Sequence, residues 1–247
     1  MVSREQLTGA PSFVIIAAFK LLPEWAQADD SIRALAAAEL TGVLTESSQR
    51  VEASIYLSQG LKASADFFLR IHANDLAEAQ SYVNECAQTI IGRHSLIADI
   101  MIGISKPRRY ITQENSARLN EQLNNSKYES ATPRYAIVIP VKKTARWWNM
   151  PESERLHEIE VHTQKSLAYM SCVKRELYYS TGLDEQDFIT YFETADLQAF
   201  HELNAALAGI RENEFQIRCE HLMLLGAIRS VSEIARILSR QPAPDAT

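Results

Sequence analysis

Hydrophobic positions along the chain follow two periods, which succeed one another in a regular order. Residues 13–22, FVIIAAFKLL, form an apolar run of strand length. Residues 24–44 are rich in Ala, Leu and Glu and predict a helix. Residues 51–58, VEASIYLS, alternate as a strand does, Gly60 turns the chain, and residues 66–73, DFFLRIHA, predict a second strand of that pair. Asp75 is a suitable N-cap for a helix over 76–91, whose apolar stripe is Leu76, Ala79, Val83, Cys86 and Ile90. Residues 95–105, SLIADIMIGIS, close the series as a strand. The order is β-α-β-β-α-β, the ferredoxin-like motif.

The same order recurs. YAIVIPVKK at 135–143 predicts a strand, and a helix starts near Pro151, with Glu152 and Glu154 placed at the positive end of its dipole. Strands follow at 173–180 and 187–194. Asp196 caps a helix striped by Leu197, Phe200, Leu203, Leu207 and Ile210, a final strand is expected near 214–226, and a short helix at 230–239. At an offset of 122, Trp25 meets Trp147, Val51 meets Val173, Tyr56 meets Tyr178, and Gly60-Leu61 meets Gly182-Leu183; at 121, Asp66-Phe67 meets Asp187-Phe188 and Asp75-Leu76 meets Asp196-Leu197. The expected class is therefore α+β, with two ferredoxin-like halves forming a dimeric α+β-barrel-like body. The expected limits are 1–107 for the first repeat, 108–134 for a polar connecting segment, and 135–247 for the second repeat.

Composition narrows the function classes. The chain has 247 residues, 46% of them apolar, and a net charge of -6 with its basic residues scattered among acids. A nucleic-acid partner is not expected from that pattern. No apolar run reaches the roughly 18 residues of a spanning helix, and the N-terminus lacks the pattern of a signal peptide. The expected location is cytoplasmic, or periplasmic if a leader has been removed. Cys86, Cys172 and Cys219 are odd in number and far apart, which argues against a disulfide framework or a zinc site.

The repeat also separates scaffold from chemistry. His162 falls opposite Leu40, Arg175 opposite Ala53, Lys143 opposite Leu21, and Trp148 opposite Ala26, so the ligating or charged member is always in the second copy. His162 lies at the edge of the stripe Leu156, Ile159, Leu167 and Met170. It reads either as a satisfied edge histidine or as a single imidazole ligand, and a ligand would need an acceptor on its other nitrogen. His157, five residues earlier, does not share its helix face. Alternation sends Lys174 and Arg175 to opposite faces of their strand, and an inward arginine suits an anion.

Taken together, IPVKKTARWW, the helix carrying His162, VKRELYYSTGLDEQDFITYFETADLQAFHEL and the loop RENEF resemble the chlorite dismutase family, in its arginine-containing branch. The resemblance implies haem b, one per subunit, in the second repeat and none in the first. It implies His162 as the proximal iron ligand, Arg175 as the distal catalytic arginine, and Glu212 as the carboxylate that accepts from the histidine. Tyr110, Ile111 and Lys143 are implied to hold haem propionates, and Trp147 and Trp148 to stand beside the haem. The pattern departs at Cys219, where some members carry tryptophan. The implied reaction takes the small anion chlorite to chloride and dioxygen, with O–O bond formation. The full-length first repeat implies a homopentamer. The alternatives are a coprohaem decarboxylase, which typically lacks arginine at the distal position, and a non-enzymatic haem-binding module.

Overall fold

The structure is a computed structural model, and it describes residues 12–46, 51–106 and 127–240. It divides into two compact units: one holds the chain up to Lys106 together with the piece from His221 onward, and the other runs from 107 to Glu220.

In the first unit, β1 (Ser12–Leu21) is flanked by β3 (Phe67–Ala73) and β4 (Ser95–Ser105), both antiparallel to it, and β3 also pairs with β2 (Val51–Leu57). The expected helix at 24–44 is two elements. Pro23 opens a 3₁₀ turn, Pro23–Gln27, and α1 (Asp30–Thr45) follows. Asp75 accepts from the Ala77 amide at the start of α2 (Leu76–Gln88), as its type predicts. That helix stops earlier than expected because Thr89 adopts extended backbone and caps a separate turn, α3 (Ile90–Arg93).

In the second unit, β7 (Phe188–Thr194) lies between β5 (Tyr135–Lys143) and β6 (Val173–Tyr179), antiparallel to both. Thr144 caps a one-turn helix, α4 (Ala145–Trp148), which precedes α5 (Glu152–Leu167). Asp196 accepts from the amides of Gln198 and Ala199 at the start of α6 (Leu197–Ala208). The connecting residues 129–134 belong here: the Glu129 amide bonds to the Ser171 carbonyl and the Arg134 amide to that of Thr194.

The repeat is visible in backbone bonding. Asp66 donates from its amide to the Phe19 carbonyl, and Asp187 does the same to that of Val141; the Ser58 and Ser180 amides bond in turn to the carbonyls of those two aspartates. Gly60 and Gly182 both have φ of 81°, the left-handed conformation that glycine adopts without strain.

The main departure lies at the C-terminus. The expected strand at 214–226 is broken into a 3₁₀ turn (Arg211–Phe215), the two-residue β8 (Gln216–Ile217) paired to Lys142 and Lys143, and β9 (Leu224–Ala227). From His221 the chain belongs to the first unit. Asp99 accepts there from the His221 ring and the Leu222 amide, and Ala227 of β9 pairs with Leu57. The final helix, α7 (Val231–Leu238), packs on α1 and β2 and puts Ile234, Ala235 and Leu238 into the core with Trp25 and Leu40. The Trp25 indole N–H donates to the Leu238 carbonyl at 2.7 Å. The second repeat therefore does not run to the end of the chain, as 135–247 would have it. The apolar face of α7 is buried in the core of the first unit. Leu238→Ala should destabilise the protein by about 2–5 kcal/mol, measured by urea denaturation; a loss below about 0.5 kcal/mol would mean that α7 is not part of that core.

Candidate active site

The second unit encloses a cavity of about 440 Å³. That lies within the roughly 300–1,000 Å³ of small-molecule sites. Three strands, two helices and the 3₁₀ turn build its walls. Strand alternation brings Arg175, Leu177 and Tyr179 of β6 to one face, Phe188 and Thr190 of β7 beside them, and Val141 and Lys143 of β5. Trp147 and Trp148 come from α4, Ile159, His162 and Thr163 from α5, and Glu212 from the turn. Much of the lining is apolar or aromatic, and Lys143, Glu212, His162 and Arg175 fall on one line.

That line is a chain of hydrogen bonds. Lys143 Nζ donates to Glu212 Oε1, Glu212 Oε2 lies 2.8 Å from His162 Nδ1, and Arg175 Nη1 lies 3.2 Å from His162 Nε2. These contacts determine the tautomer. A carboxylate only accepts and a guanidinium only donates, so Nδ1 carries the proton and Nε2 presents its lone pair to the cavity. The histidine is thus set up as a metal ligand, with the acceptor that such ligands require on the other nitrogen.

Glu212 and Lys143 are almost out of water, with side chains 10% and 4% exposed. Burial pushes the Glu212 carboxyl up, but the hydrogen bond from His162 and the charge of Lys143 outweigh it and hold the pKa down at about 2. Burial pulls the Lys143 ammonium below its ordinary value, against the opposing pull of Glu212. Burial penalises both charges, and only the carboxylate, with two donors on it, more than recovers the loss.

The predicted residues fall as follows. His162, Arg175, Glu212, Lys143, Trp147 and Trp148 all line the one cavity. Trp147 is buried, with the Lys143 ammonium 4.6 Å above its ring and Phe215 tilted against it; Trp148 is half exposed and stacks near Phe188. Lys143 departs from the expectation that it holds a propionate: its ammonium is buried and committed to Glu212, so it acts on the carboxylate behind the histidine. Tyr110 and Ile111 lie outside the described residues. Sequence reasoning missed the other lining residues, among them Leu177, Tyr179, Phe188, Thr190 and Gln216. Period two from Arg175 would have found the first two.

The family model for chlorite dismutase matches residues 33–227. The chain belongs to the chlorite dismutase family. A chlorite dismutase from Ideonella dechloratans is 39% identical over 239 residues, covering 96% of this chain and 84% of that protein. A mutant chlorite dismutase from Candidatus Nitrospira defluvii superimposes with a TM-score of 0.88 at 35% identity, covering 96% of this chain and 99% of that one. The complex of that enzyme with imidazole gives a TM-score of 0.87 at 35% identity over the same shares. The family is haem-dependent, and the cavity suits that group: apolar walls, one imidazole lone pair facing inward, and a carboxylate behind it. Any group bound at Nε2 takes the lone pair that Arg175 contacts, so the Arg175 side chain must release it.

Acid should expose the role of Glu212. Its folded pKa of about 2 lies below the ordinary 4.5, so its stabilising effect is fully present above pH 4.5 and is lost as pH falls towards 2. Unfolding titrations of Glu212→Gln should show a lower plateau at neutral pH and a flatter fall between pH 4.5 and 2. A variant that tracks the parent over the whole range would contradict the coupling.

Proposed function

We propose that this chain is a chlorite-decomposing enzyme in which haem b, one per subunit, is bound through His162 and chlorite is held by Arg175. The observation that carries the reading is the tautomer-determining line Lys143–Glu212–His162, with Arg175 in the same cavity. When bound, the haem supplies the redox-active iron at which chlorite yields chloride and dioxygen.

The protein contributes position and charge. His162 offers the Nε2 lone pair. Glu212, kept ionised by the His162 hydrogen bond and the Lys143 charge, draws on the Nδ1 proton and makes the imidazole a stronger donor, which favours oxidised iron. Arg175 is always charged and planar and can give two parallel hydrogen bonds, which suits a small oxyanion. Holding the anion in one place would serve, through proximity, the O–O bond formation that the bound haem would support, with no proton consumed overall. Trp147, Trp148, Leu177 and Phe188 present flat or branched apolar surface to a porphyrin and keep water out. The pentameric assembly rests on the family likeness alone, and the cytoplasmic location, with the periplasm as its alternative, on the N-terminal sequence.

Arg175→Ala should retain haem, lose about 100-fold or more of its dioxygen production, and release hypochlorite that the parent retains. The magnitude follows from removing a preorganised charged donor. An oxygen electrode and a hypochlorite trap would read both, and dioxygen evolution at the parent rate would rule out the arginine role. His162→Ala should lose haem or bind it with altered coordination; a Soret band identical to the parent would exclude His162 as the ligand.

A further inference from the structure

Arg211 immediately precedes Glu212 in the turn Arg211–Phe215, yet its side chain goes to α5 and not to the cavity. Its Nη1 donates to Glu158 Oε1 at 2.8 Å and its Nη2 to Glu154 Oε1 at 2.7 Å. Glu154, Glu158 and His162 are spaced four apart and so lie on successive turns of one helix face. The Glu158 side chain is only 5% exposed, and a carboxylate that deep requires its cation. The turn is also fastened on the opposite side to β5. The Thr144 amide donates to the Phe215 carbonyl at 2.8 Å, and Gln216 and Ile217 pair with Lys143 and Lys142.

Glu212 is therefore pulled two ways. Lys143 holds one carboxylate oxygen from β5, and His162 meets the other from α5. If the turn drifted towards β5 by half an ångström, the 2.8 Å bond to His162 would pass out of the ordinary range of about 2.7–3.2 Å. Arg211 opposes that drift with two charge-assisted bonds to the helix that carries His162. The flat fork of arginine can serve two carboxylates at once, which a lysine cannot do with the same geometry. Phe215 locks the clamp from below: its ring is buried, with the guanidiniums of Arg146 and Arg211 at 5.3 and 5.6 Å.

We propose that Arg211 is a positioning residue for the iron ligand: by clamping Glu154 and Glu158 it sets the approach of Glu212 to His162 Nδ1, and with it the donor strength of His162. The proposal rests on the reading of His162 as haem ligand. It assigns work to a charged residue outside the cavity and makes Glu158 a buried part of the site.

The test uses the haem-loaded protein in its ferrous state. Resonance Raman reads the iron–imidazole stretch, and transfer to an excess of a haem-scavenging globin reads haem release. Arg211→Gln and Glu158→Gln should move the stretch towards the value of Glu212→Gln. Haem release should quicken about three- to tenfold, less than the 10–100-fold typical when the direct partner of a ligand is lost. Arg211→Lys should recover part of the stretch. Leu203→Ala, a buried core change on α6 of the same unit, should lower the thermal midpoint and leave both readouts at the parent value. Parent values in Arg211→Gln, or equal shifts in Leu203→Ala, would overturn the proposal. A parent stretch that survives His162→Ala would overturn the ligand reading itself, and the Arg211 proposal with it.

Discussion

The site depends on one buried carboxylate shared between two donors. Glu212 takes the Lys143 ammonium on one oxygen and the His162 imidazole on the other, in surroundings that admit little water. Burial alone would neutralise such a group, and the two donors keep it charged. The state of the His162 ring follows from that charge. It holds the proton on Nδ1, leaves Nε2 as a lone pair, and sets how strongly the ring donates. A lysine without the carboxylate, or a carboxylate without the lysine, would be a buried unpaired charge, costly by about 3–5 kcal/mol. The surrounding elements can be understood as the means of delivering three residues from a strand, a helix and a turn to that point.

The two repeats show how one scaffold can be either site or core. Each has the same aspartate-anchored turn, the same left-handed glycine and a buried tryptophan after its first strand. In the second unit the positions beyond Trp147 hold His162 and Arg175 around a cavity. In the first, the matching positions are Leu40 and Ala53, and α7 lies on them, with Ile234, Ala235 and Leu238 in one continuous core with Trp25 and Leu40. The helix Val231–Leu238 thus closes the core of the first unit, and the second unit keeps a cavity.

Much of this was legible in the residues. Period-two and helical stripes placed nearly every strand and long helix, and Asp75 and Asp196 announced the helices that they cap. The alternation at 174–175 put the two residues on opposite faces, because a strand offers only two, and Lys174 is exposed while Arg175 lines the cavity. Other features depend on long-range partners that no local pattern encodes. The sequence from 214 to 226 has strand character throughout, but Asp99 captures His221 and Leu222 and splits the strand between the two units. The amphipathic face of α7 does not say which unit will bury it. Lys143 carries no local mark of its commitment to Glu212, 69 residues away, and the resemblance had implied a propionate for it instead.

The most direct test of the account is the oxygen yield of the haem-loaded parent protein. Chlorite added in measured amounts should give dioxygen and chloride in a one-to-one ratio, with no accumulation of hypochlorite. Haem-loaded protein that consumes chlorite without evolving dioxygen, or that leaves it untouched, would contradict the assignment of Arg175 and His162 to a chlorite-decomposing site.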